Sequence, residues 1–413
     1  MKILFISQYY PPEVCAPSAR VSELTKYWQR DGNTVTVITG MPNHPDGIIH
    51  PRYKWEYFKE EWVNGVRVLR VILYVTPNKG FQKRIISFLS FMITSFITGL
   101  FVVKPDVVIV TSPQLFLGLT GYMVSRFRKI PFVFEVRDIW PQSAIDLKII
   151  KSRFIIKFME IFERFLYSKA DLIIVVTPMQ KINVKMKCNK KKKVECIPNG
   201  IDPEIFDVKD EKKILWKDGV KKGFTVICIG TIGLSHNLEI LVRAAQKMKN
   251  KNIYFFIVGD GAQREKIENS IKEKKLENIF VYDKIPKTDV PYALKESDVG
   301  FSHLRDLPMA REMYPAKMFD IMAAGKPLLI GIHGGAKDLI EKNKTGIVFK
   351  SDSVEDLVKN LEILIANPNL CEEYGKNGIK LVNEKFNRKV QAKDYMRFIK
   401  EVSTKGKNSN MRN

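Results

Sequence analysis

The sequence predicts an α/β protein built from two domains, each with a parallel sheet. Three observations lead to this prediction. The 413 residues are enough for two domains of about 200 residues, each with its own core. The content of 45% apolar and 27% charged residues is that of a globular protein. Short apolar runs alternate with helical segments along the chain, which is the pattern of doubly wound sheets.

The first half opens with a strand–helix–strand unit. Residues 2–6 are an apolar run typical of a buried parallel strand, residues 18–30 form a helix, and residues 34–39 form the next strand. The loop after the first strand lacks the Gly-x-Gly-x-x-Gly pattern of dinucleotide-binding folds. Further strands are predicted at residues 105–110, 132–136 and 172–176.

Residues 85–103 carry no charge and are long enough to span a membrane. Serine and threonine residues, however, recur at a spacing that makes one hydroxyl stripe on a helix, at Ser87, Ser90, Thr94 and Thr98. The strand that follows must pair in the same sheet, so we reject a spanning helix. We predict that the hydroxyl stripe faces protein and that the opposite side dips into lipid. Depending on helical phase, that side carries Phe88, Phe91 or Met92, Phe96, and Val102 or Val103. A wholly buried core helix is the alternative.

The second half repeats the alternation of strands and helices. Its predicted strands lie at residues 224–230, 253–259, 279–282, 299–304, 328–331 and 346–349. Gly230 to Gly233 follow the first of these strands, where a glycine-rich loop can approach a diphosphate. Gly261 belongs to a second Gly-x-Gly loop, which is common in turns and is a weaker signal.

Residues 311–327 carry the strongest functional signal. Pro315 is tolerated at the start of a helix, and Gly325 is suited to end it in the left-handed conformation. Free N–H groups at such a helix start attract phosphate, and Lys317 adds a positive charge there. Asp320 inside the helix can accept both ribose hydroxyls, and Glu312 before it can hold sugar hydroxyls. A capped helix with ordinary surface charges is the alternative.

These residues resemble a known motif. Glu312-x7-Asp320 followed by Ile-Met-Ala-Ala-Gly-Lys-Pro resembles the Glu-x7-Glu nucleotide-sugar motif of family 4 glycosyltransferases. The run from Pro315 to Pro327 is similar to the fucosamine-transferase-like branch of that family. The resemblance implies the GT-B architecture, in which two Rossmann-like domains face a cleft. Asp320 replaces the usual second Glu, so its shorter side chain must lie closer to the ribose.

The resemblance also implies that the second domain holds a UDP-sugar donor. Many family members place an Arg and a Lys on the diphosphate, whereas Thr231 and His236 occupy those places here, as in the fucosamine-like branch. Neutralising the phosphates then depends on Lys317, the helix start and Arg305. Glu312 is the predicted catalytic residue at the sugar end. The predicted donor-binding residues are Gly230, Thr231, Gly233, Gly261, Arg305, Pro315, Ala316, Lys317 and Asp320.

Loops of the first half are predicted to bind the acceptor. Asn43 and His44 lie in a loop after a strand, where doubly wound sheets place ligands. The resemblance covers this loop, although a lone loop histidine is more often an exposed bystander. Arg20, near the start of the first helix, is a candidate phosphate contact, and a solvated helix charge is the alternative.

Charged residues also follow the strand at residues 132–136. Glu135-x-Arg137-Asp138-x-Trp-Pro resembles the same branch, and charges at the end of an apolar strand are typical of functional sites. Glu135 and Arg137 are predicted to contact the acceptor, with a structural ion pair as the alternative. Asp138 is the catalytic candidate for assisting the acceptor proton.

The predicted domains follow from these positions. Residues 1–198 form the acceptor domain and residues 199–387 the nucleotide-sugar domain, which begins at an Asn-Gly-Ile-Asp motif similar to the family's hinge. Residues 388–402 resemble the terminal helix that returns to the first domain in GT-B enzymes. Residues 403–413 are polar and predicted to be disordered.

The charge and the cysteines restrict location and partners. The net charge is +23, and residues 1–200 hold 30 Lys and Arg against 15 Asp and Glu. This surplus suits an anionic membrane, phosphate-bearing substrates or nucleic acid. Five cysteines without a Cys-x-x-Cys pair argue against a disulfide scaffold or zinc site and fit a reducing cytoplasm. We expect a cytoplasmic protein attached peripherally to the inner face of the plasma membrane.

The resulting hypothesis is a glycosyltransferase of surface polysaccharide biosynthesis, as for capsule or O-antigen. By resemblance it transfers N-acetylfucosamine or a related N-acetylated deoxysugar from UDP to a polyprenyl-diphosphate-linked saccharide. Retention of configuration and independence of metal and cofactor are also implied, and the sequence contains no Asp-x-Asp. A GT-B-shaped UDP-sugar epimerase is the alternative. A nucleic-acid-binding protein is disfavoured because no nucleic-acid motif accompanies the charge.

Overall fold

A computed structural model describes the chain except for residues 45–46, 77–80, 113, 147–148, 209, 211, 216–222 and 411–413. The chain divides into two units. One contains Met1–Asn199 together with Arg388–Asn413, and the other contains Gly200–Asn387.

Strands and helices alternate through the first unit. Its strands are β1 (Lys2–Ile6), β2 (Thr34–Gly40), β3 (Phe58–Val63), β4 (Val66–Val71), β5 (Val107–Thr111), β6 (Phe132–Val136), β7 (Leu172–Val175) and β8 (Val194–Cys196). Its helices before the second unit are α1 (Ala16–Arg30), α2 (Phe81–Phe101), α3 (Leu117–Arg128), α4 (Gln142–Asp146), α5 (Arg153–Lys169) and α6 (Pro178–Lys187). The strands at the centre of the sheet are apolar because helices cover both of its faces.

Within the described residues, these strands form one sheet in the order β3-β4-β2-β1-β5-β6-β7-β8. The pairs from β4 to β8 are parallel. The chain leaves β1 toward β2 and returns to β5 on the other side of β1. This reversal opens a crevice at the carboxyl ends of β1 and β5, where doubly wound sheets bind ligands.

The hairpin of β3 and β4 is absent from the sequence-based prediction. The two strands pair antiparallel from Phe58–Val71 to Val63–Val66. Their turn is Asn64-Gly65, and both residues have positive φ, at 52° and 78°. An Asn-Gly pair between strands is the usual signal for such a turn, so the sequence did contain the evidence for this hairpin.

The second unit repeats the architecture. Its strands are β9 (Phe224–Ile229), β10 (Ile253–Val258), β11 (Ile279–Tyr282), β12 (Val299–His303), β13 (Leu328–Gly331) and β14 (Gly346–Phe349). Its helices are α7 (Glu239–Lys247), α8 (Arg264–Glu273), α9 (Val290–Lys295), α10 (Ala316–Ala323), α11 (Gly335–Asn343), α12 (Val354–Ala366) and α13 (Pro368–Leu381). The described strands form a parallel sheet in the order β11-β10-β9-β12-β13-β14. Its reversal lies between β9 and β12.

The last helix, α14 (Arg388–Asn410), belongs to the first unit. It packs on α1, where Trp28 Nε1 donates a hydrogen bond of 2.9 Å to the Ala392 carbonyl and the ring of Tyr395 meets the indole edge-on at 5.2 Å. The predicted disordered tail was placed too early, because the helix continues through Ser403, which is buried. Residues 411–413 of that predicted tail lie outside the described residues.

Candidate functional site

The helix at the centre of the predicted donor site begins and ends as its sequence indicates. Pro315 is the residue immediately before α10, with φ of −58° and ψ of 128°. At the other end Gly325 has φ of +67°. Its N–H donates to Met322 O, and the N–H of Lys326 donates to Ile321 O, which is the paired arrangement of a Schellman cap. The prediction of a left-handed Gly325 is therefore confirmed. At the start of α10 the Met318 N–H donates to Pro315 O at 3.1 Å, while the N–H groups of Ala316 and Lys317 have no partner among the described residues.

Lys317, in the first turn of α10, reaches back over the end of β9. Its ammonium nitrogen lies 3.7 Å from Cys228 Sγ and 3.8 Å from the point that a Cβ on Gly230 would occupy. Because Gly230 has no side chain and a φ of +121°, the lysine can lie directly over the loop. This places a half-buried positive charge at the reversal point of the second sheet.

Two glycine loops form the floor beneath this lysine. A Cβ on Gly259 would lie 1.9 Å from Gly230 O, and one on Gly261 would lie 2.6 Å from Ile232 O. The loop after β10 therefore packs directly on the loop after β9, and both positions require glycine. Backbone bonds join them, since Gly230 N–H donates to Val258 O and Ile232 N–H donates to Asp260 O. The sequence signal at Gly261 was weak, but the close approach of Ile232 O shows that this position needs a glycine.

The two histidines beside Lys317 are neutral. Burial, with the nearby Lys317 charge, lowers the pKa of His236 to about 3. Burial also lowers the pKa of His303. The ring of His303 has a fixed tautomer, since Nδ1 contacts the His236 carbonyl at 2.7 Å and Nε2 accepts from the Asp352 N–H at 3.1 Å. Neither histidine therefore adds positive charge beside Lys317.

The remaining predicted donor-binding residues lie around the same edge of the second sheet. Arg305 follows β12 and is exposed, with Nη2 3.5 Å from Asn237 Oδ1. Glu312 ends a short 3₁₀ helix (Pro308–Glu312) just before α10, and Asp320 lies on α10 itself. Both carboxylates are half-buried. Thr231 and Ala316 are exposed, Pro315 is buried, and Gly233 lies against His236.

In the first unit, Arg20 is part of the interior and is not positioned to contact a ligand. It is 1% exposed and its guanidinium forms an ion pair of 2.9 Å with Glu135, which is 0% exposed. The same guanidinium donates to the carbonyls of Ile197 and Pro198 at 2.9 and 2.8 Å. Glu135 also accepts from Thr111 Oγ1 at 2.8 Å. These contacts contradict the acceptor-binding assignment of Arg20 and Glu135, and they also show that Glu135 pairs with Arg20 rather than bonding to Arg137.

Burial and Arg20 act in opposite directions on this carboxylate. Burial disfavours its ionised form, but the charge and hydrogen bonds of Arg20, together with the Arg137 charge and the Thr111 hydrogen bond, outweigh that cost and hold the pKa of Glu135 below its usual value. The pair therefore joins the first turns of α1 to the end of β6 and to residues 197–198. It fixes the geometry on which the neighbouring Arg137 and Asp138 depend.

Arg137 and Asp138 follow β6 at this fixed edge. The backbone N–H groups of both donate to Ser112 Oγ, at 2.7 and 3.4 Å. Arg137 is buried, and its Nε and Nη1 have no hydrogen-bond partner among the described residues. Burial raises the pKa of Asp138, and the Arg137 charge opposes that rise. Asp138 is therefore a carboxylate that binds a proton more readily than an exposed one.

Asn43 and His44 are positioned by a residue that the sequence analysis did not single out. Glu13 is buried, and its Oε1 accepts from the backbone N–H groups of Asn43 and His44, each at 3.0 Å. Burial raises its pKa to about 7, while these backbone bonds act in the opposite direction. The side chain of His44 packs edge-on against Tyr9 at 5.1 Å. Glu13 ends a Gln-x-x-Pro-Pro-Glu run in the loop after β1, and this run was the available sequence signal.

Helix α2 exposes a different side from the one predicted. Among the described residues, Lys83–Phe101 is long and apolar enough to cross a membrane, and 22% of it is buried. Phe91 is fully buried in the core of the first unit, and Phe88 and Phe96 are half-buried. The strongly exposed apolar residues are Ile86, Ile93, Ile97 and Phe101.

The hydroxyl stripe misled the prediction because hydroxyls on a helix can bond to their own backbone. Ser90 Oγ donates to Ser87 O at 2.8 Å, and Thr94 Oγ1 donates to Ser90 O at 3.1 Å. Ser87 is nevertheless buried and Ser90 Oγ also accepts from the Tyr74 N–H at 2.7 Å, so the stripe lies at the margin of the packed side rather than at its centre.

Helix α5 adds a second exposed apolar stripe that the sequence analysis missed. Phe154, Phe158 and Ile161 recur at helical spacing and are 90%, 61% and 60% exposed. Helix α3 links the two stripes, since Phe127 of α3 lies 5.8 Å from Phe96 and Tyr122 of α3 lies 5.5 Å from Phe165. We call the exposed residues of these three helices the apolar face. It consists of Ile86, Ile93, Ile97, Phe101, Phe127, Phe154, Phe158 and Ile161.

Two protein families, one for each half, together match nearly the whole chain. The family described as Glycosyltransferase Family 4 matches residues 18–205, and Glycosyl transferases group 1 matches residues 210–381. The putative colanic acid biosynthesis glycosyl transferase WcaI of Escherichia coli is 24% identical over 79% of this chain and 82% of its own length. An uncharacterized glycosyltransferase of Methanocaldococcus jannaschii is 22% identical over 97% of this chain and 99% of its own.

Solved structures have the same fold over nearly the full length. Sucrose-phosphate synthase of Thermosynechococcus elongatus has a TM-score of 0.74 at 16% identity, with 97% of this chain and 98% of that chain covered. Anabaena HepE, in complex with UDP and glucose, has a TM-score of 0.71 at 16% identity, covering 97% and 100%. These likenesses confirm the predicted GT-B fold. The relatives are named as glycosyltransferases, which does not favour the epimerase alternative.

The buried pair of Arg20 and Glu135 gives a stability prediction. Arg20→Met leaves Glu135 ionised and buried without its partner, so the free energy of unfolding of the first unit should fall by about 3–5 kcal/mol. Urea denaturation followed by tryptophan fluorescence measures this loss. Arg20→Met combined with Glu135→Gln should recover part of it. A stable Arg20→Met protein that has lost only acceptor binding would contradict the internal role of Arg20.

Proposed function

The chain belongs to the family 4 glycosyltransferases and has their GT-B fold, and from that premise we propose that it transfers a sugar from a UDP-sugar to a polyprenyl-diphosphate-linked saccharide. The polymer in this proposal is a surface polysaccharide. The observation that carries the donor side of the proposal is the position of Lys317 over Gly230, which has no side chain. A diphosphate is the ligand whose charge and size suit a helix start, a lysine and two glycine loops at one edge.

In this proposal each group that binds the sugar donor has one role. The first-turn N–H groups of α10 and the Lys317 ammonium hold the diphosphate, with Arg305 at the margin of the site. Asp320 accepts hydrogen bonds from the ribose hydroxyls, and Glu312 holds the hydroxyls of the transferred sugar. UDP is favoured as the nucleotide because Anabaena HepE, a structural relative, is described in complex with UDP and glucose.

The chemical step in the proposal is loss of the nucleoside diphosphate from the anomeric carbon. Negative charge grows on the leaving oxygen, and preorganised positive charge lowers the energy of that state. Since His236 and His303 are neutral, this charge comes from Lys317 and the helix start. The raised pKa of Asp138 suits it to accept the proton of the acceptor hydroxyl. We further propose retention of configuration and no requirement for a metal or cofactor.

The proposed sugar is N-acetylfucosamine or a related N-acetylated deoxysugar. Its support is the similarity of the run from Pro315 to Pro327 to the fucosamine-transferase-like branch. Thr231 and His236 agree with that branch, because the basic residues that many other family members carry there are absent from both positions.

We also propose that the protein works on the inner face of the plasma membrane and binds it through the apolar face. Exposed apolar residues on α2 and α5 occur together with exposed basic residues at the ends of the same helices. Lys83 lies in the first turn of α2 and Lys104 follows the helix, while Lys151 precedes α5 and Arg153 and Lys157 lie in its first turns. Apolar side chains beside basic ones are suited to the boundary between acyl chains and anionic headgroups.

The donor assignment predicts a selective loss in Lys317→Met. UDP affinity should fall about tenfold or more, because a charge-assisted contact to a phosphate contributes roughly 1.5–3 kcal/mol. Uridine affinity should be unchanged, since uridine carries no diphosphate. Calorimetric titration with both ligands measures the difference. Lys337→Met, on the exposed side of α11, is the matched control, and equal losses in both variants would contradict the assignment.

The reaction itself predicts acceptor-dependent release of UDP. A panel of UDP-sugars that includes UDP-N-acetylfucosamine should give UDP only when a lipid-linked saccharide is present, because transfer consumes both substrates. Release is measured by a coupled UDP assay, and the product by mass spectrometry. Interconversion of the donor sugar without acceptor would instead indicate an epimerase.

The apolar face predicts a defect in membrane binding. Replacing Ile93, Ile97 and Phe101 by Ser should weaken binding to phosphatidylglycerol vesicles roughly tenfold or more, because exposed apolar area would no longer enter the bilayer. Binding of the parent should also weaken with salt. Vesicle co-sedimentation measures both effects. Ile363→Ser on α12 is the control, and unchanged binding by the folded triple variant would contradict this surface.

A further inference from the structure

The outermost strand of the first sheet carries exposed aromatic side chains. Within the described residues, β3 pairs with β4 on one side and with no strand on the other. Its aromatic residues Phe58 and Trp62 are 52% and 65% exposed, and Trp55 and Tyr57 just before the strand are also exposed. The strand contains neither a proline nor a bulge that would protect the edge. Aromatic side chains on such an edge indicate an interaction surface.

Alternate residues of β3 direct their backbone groups away from the sheet. The Ile72 N–H donates to Tyr57 O at 3.0 Å, which identifies this opposed pair as a hydrogen-bonded one. Hydrogen-bonded pairs recur at every second position of an antiparallel ladder, so the odd-numbered residues of β3 bond to β4. The N–H and C=O groups of Phe58, Glu60 and Trp62 therefore point to the open edge. In the part of the chain that the structure describes, these groups have no partner strand.

An antiparallel strand centred on Glu60 would use all of these backbone groups. If a second copy of β3 lies with Glu60 opposite Glu60, Phe58 of each copy faces Trp62 of the other. Each opposed pair then exchanges two backbone hydrogen bonds. Aromatic residues directly opposite one another also stabilise neighbouring strands. A shift by one residue would instead set these groups against residues whose own groups point to β4.

The charged residues of β3 favour the same register. Lys59 and Glu61 lie on the other face of the strand, and centring on Glu60 places Lys59 of one copy opposite Glu61 of the other. Opposite charges in directly opposed positions are favourable. Glu60, which meets its own copy, is already paired, because Arg67 Nε and Nη2 donate to its carboxylate at 2.7 and 3.0 Å. The charges therefore select this register instead of preventing the pairing.

A lipid surface is a less suitable partner for this edge. Glu60 lies between Phe58 and Trp62 on the same face of β3 and is exposed. Insertion of that face would bring a carboxylate toward anionic headgroups and would leave the outward backbone groups unsatisfied. A second copy of the strand satisfies the same groups without insertion.

We propose that two copies of this chain associate through β3 and form one continuous sheet across a two-fold axis, with Glu60 facing Glu60. A two-fold axis makes the contact self-complementary, because each residue pair occurs twice. The inference is independent of the proposed function, since β3 contributes none of the residues assigned above to the donor, the acceptor or the membrane.

Sedimentation velocity of the full chain without lipid, over a wide range of concentration, tests the dimer. The parent should shift from monomer to dimer as its concentration rises. Glu60→Pro should raise the dissociation constant about tenfold or more, because each copy loses an outward N–H donor while the bonds to β4 remain. Glu60→Gln keeps that N–H and should dimerise at least as tightly as the parent. A parent that stays monomeric, or equal behaviour of the two variants, would overturn the proposal.

Trp62→Ser tests the aromatic pairs without changing the backbone. It should also weaken the dimer about tenfold or more, because both Phe58–Trp62 pairs are lost. Phe127→Ser removes an exposed aromatic residue from the apolar face and is the matched control, which should dimerise like the parent. Equal losses in both variants would place the contact on the apolar face and overturn the role of β3. Unchanged dimerisation of Trp62→Ser with weaker binding to phosphatidylglycerol vesicles would assign the edge to lipid instead.

Cysteine cross-linking tests the register. Opposed residues of a hydrogen-bonded antiparallel pair have Cα atoms about 5.5 Å apart, which suits a disulfide. Glu60→Cys should therefore give a disulfide-linked dimer on mild oxidation, measured by non-reducing electrophoresis against the parent with its five cysteines. Trp62→Cys, whose position faces Phe58 of the other copy, should not exceed the parent. Cross-linking of Trp62→Cys in preference to Glu60→Cys would overturn the proposed pairing.

Discussion

The donor side of this protein depends on the contact between Lys317 and Gly230, the glycine that begins the loop after β9. The contact exists because Gly230 leaves room for the lysine and because Gly259 allows the next loop to pack against the Gly230 carbonyl. A side chain at Gly259 would separate the two loops, and at Gly230 the φ of +121° disfavours any residue other than glycine. The Schellman cap at Gly325 then sets where α10 ends and β13 begins. One positive charge is thereby fixed at the reversal point of the second sheet, beside two histidines that burial keeps neutral.

In the first unit, charged groups are held at the edge of an apolar sheet. Arg20 and Glu135 neutralise each other inside the protein and bring together the start of α1, the end of β6 and residues 197–198. Arg137 and Asp138 follow this ion pair along the chain at the end of β6, and Glu13 holds the Asn43–His44 loop. On the outer side of the same sheet, α2, α3 and α5 expose the apolar face.

The sequence predicted those features that local chemistry determines. Pro315 and Gly325 have strong conformational preferences, so the limits of α10 could be inferred from them, and apolar runs such as residues 224–230 identified the strands. Partners distant in sequence could not be inferred in this way. Arg20 and Glu135 are 115 residues apart, and nothing local indicates that Arg20 would reach Glu135 instead of solvent. The exposed side of α2 was misassigned because Ser90 and Thr94 bond to their own helix. The Asn64-Gly65 hairpin was predictable but overlooked.

The central claim is that the donor diphosphate binds at the start of α10 under the Lys317 ammonium. A crystal structure of the complex with UDP tests it most directly. The account predicts phosphate oxygens about 2.7–3.2 Å from the Lys317 ammonium and from a backbone N–H in the first turn of α10, with the ribose hydroxyls on Asp320. A diphosphate bound elsewhere, with Lys317 still over Gly230 and no phosphate oxygen within hydrogen-bonding distance, would contradict the account.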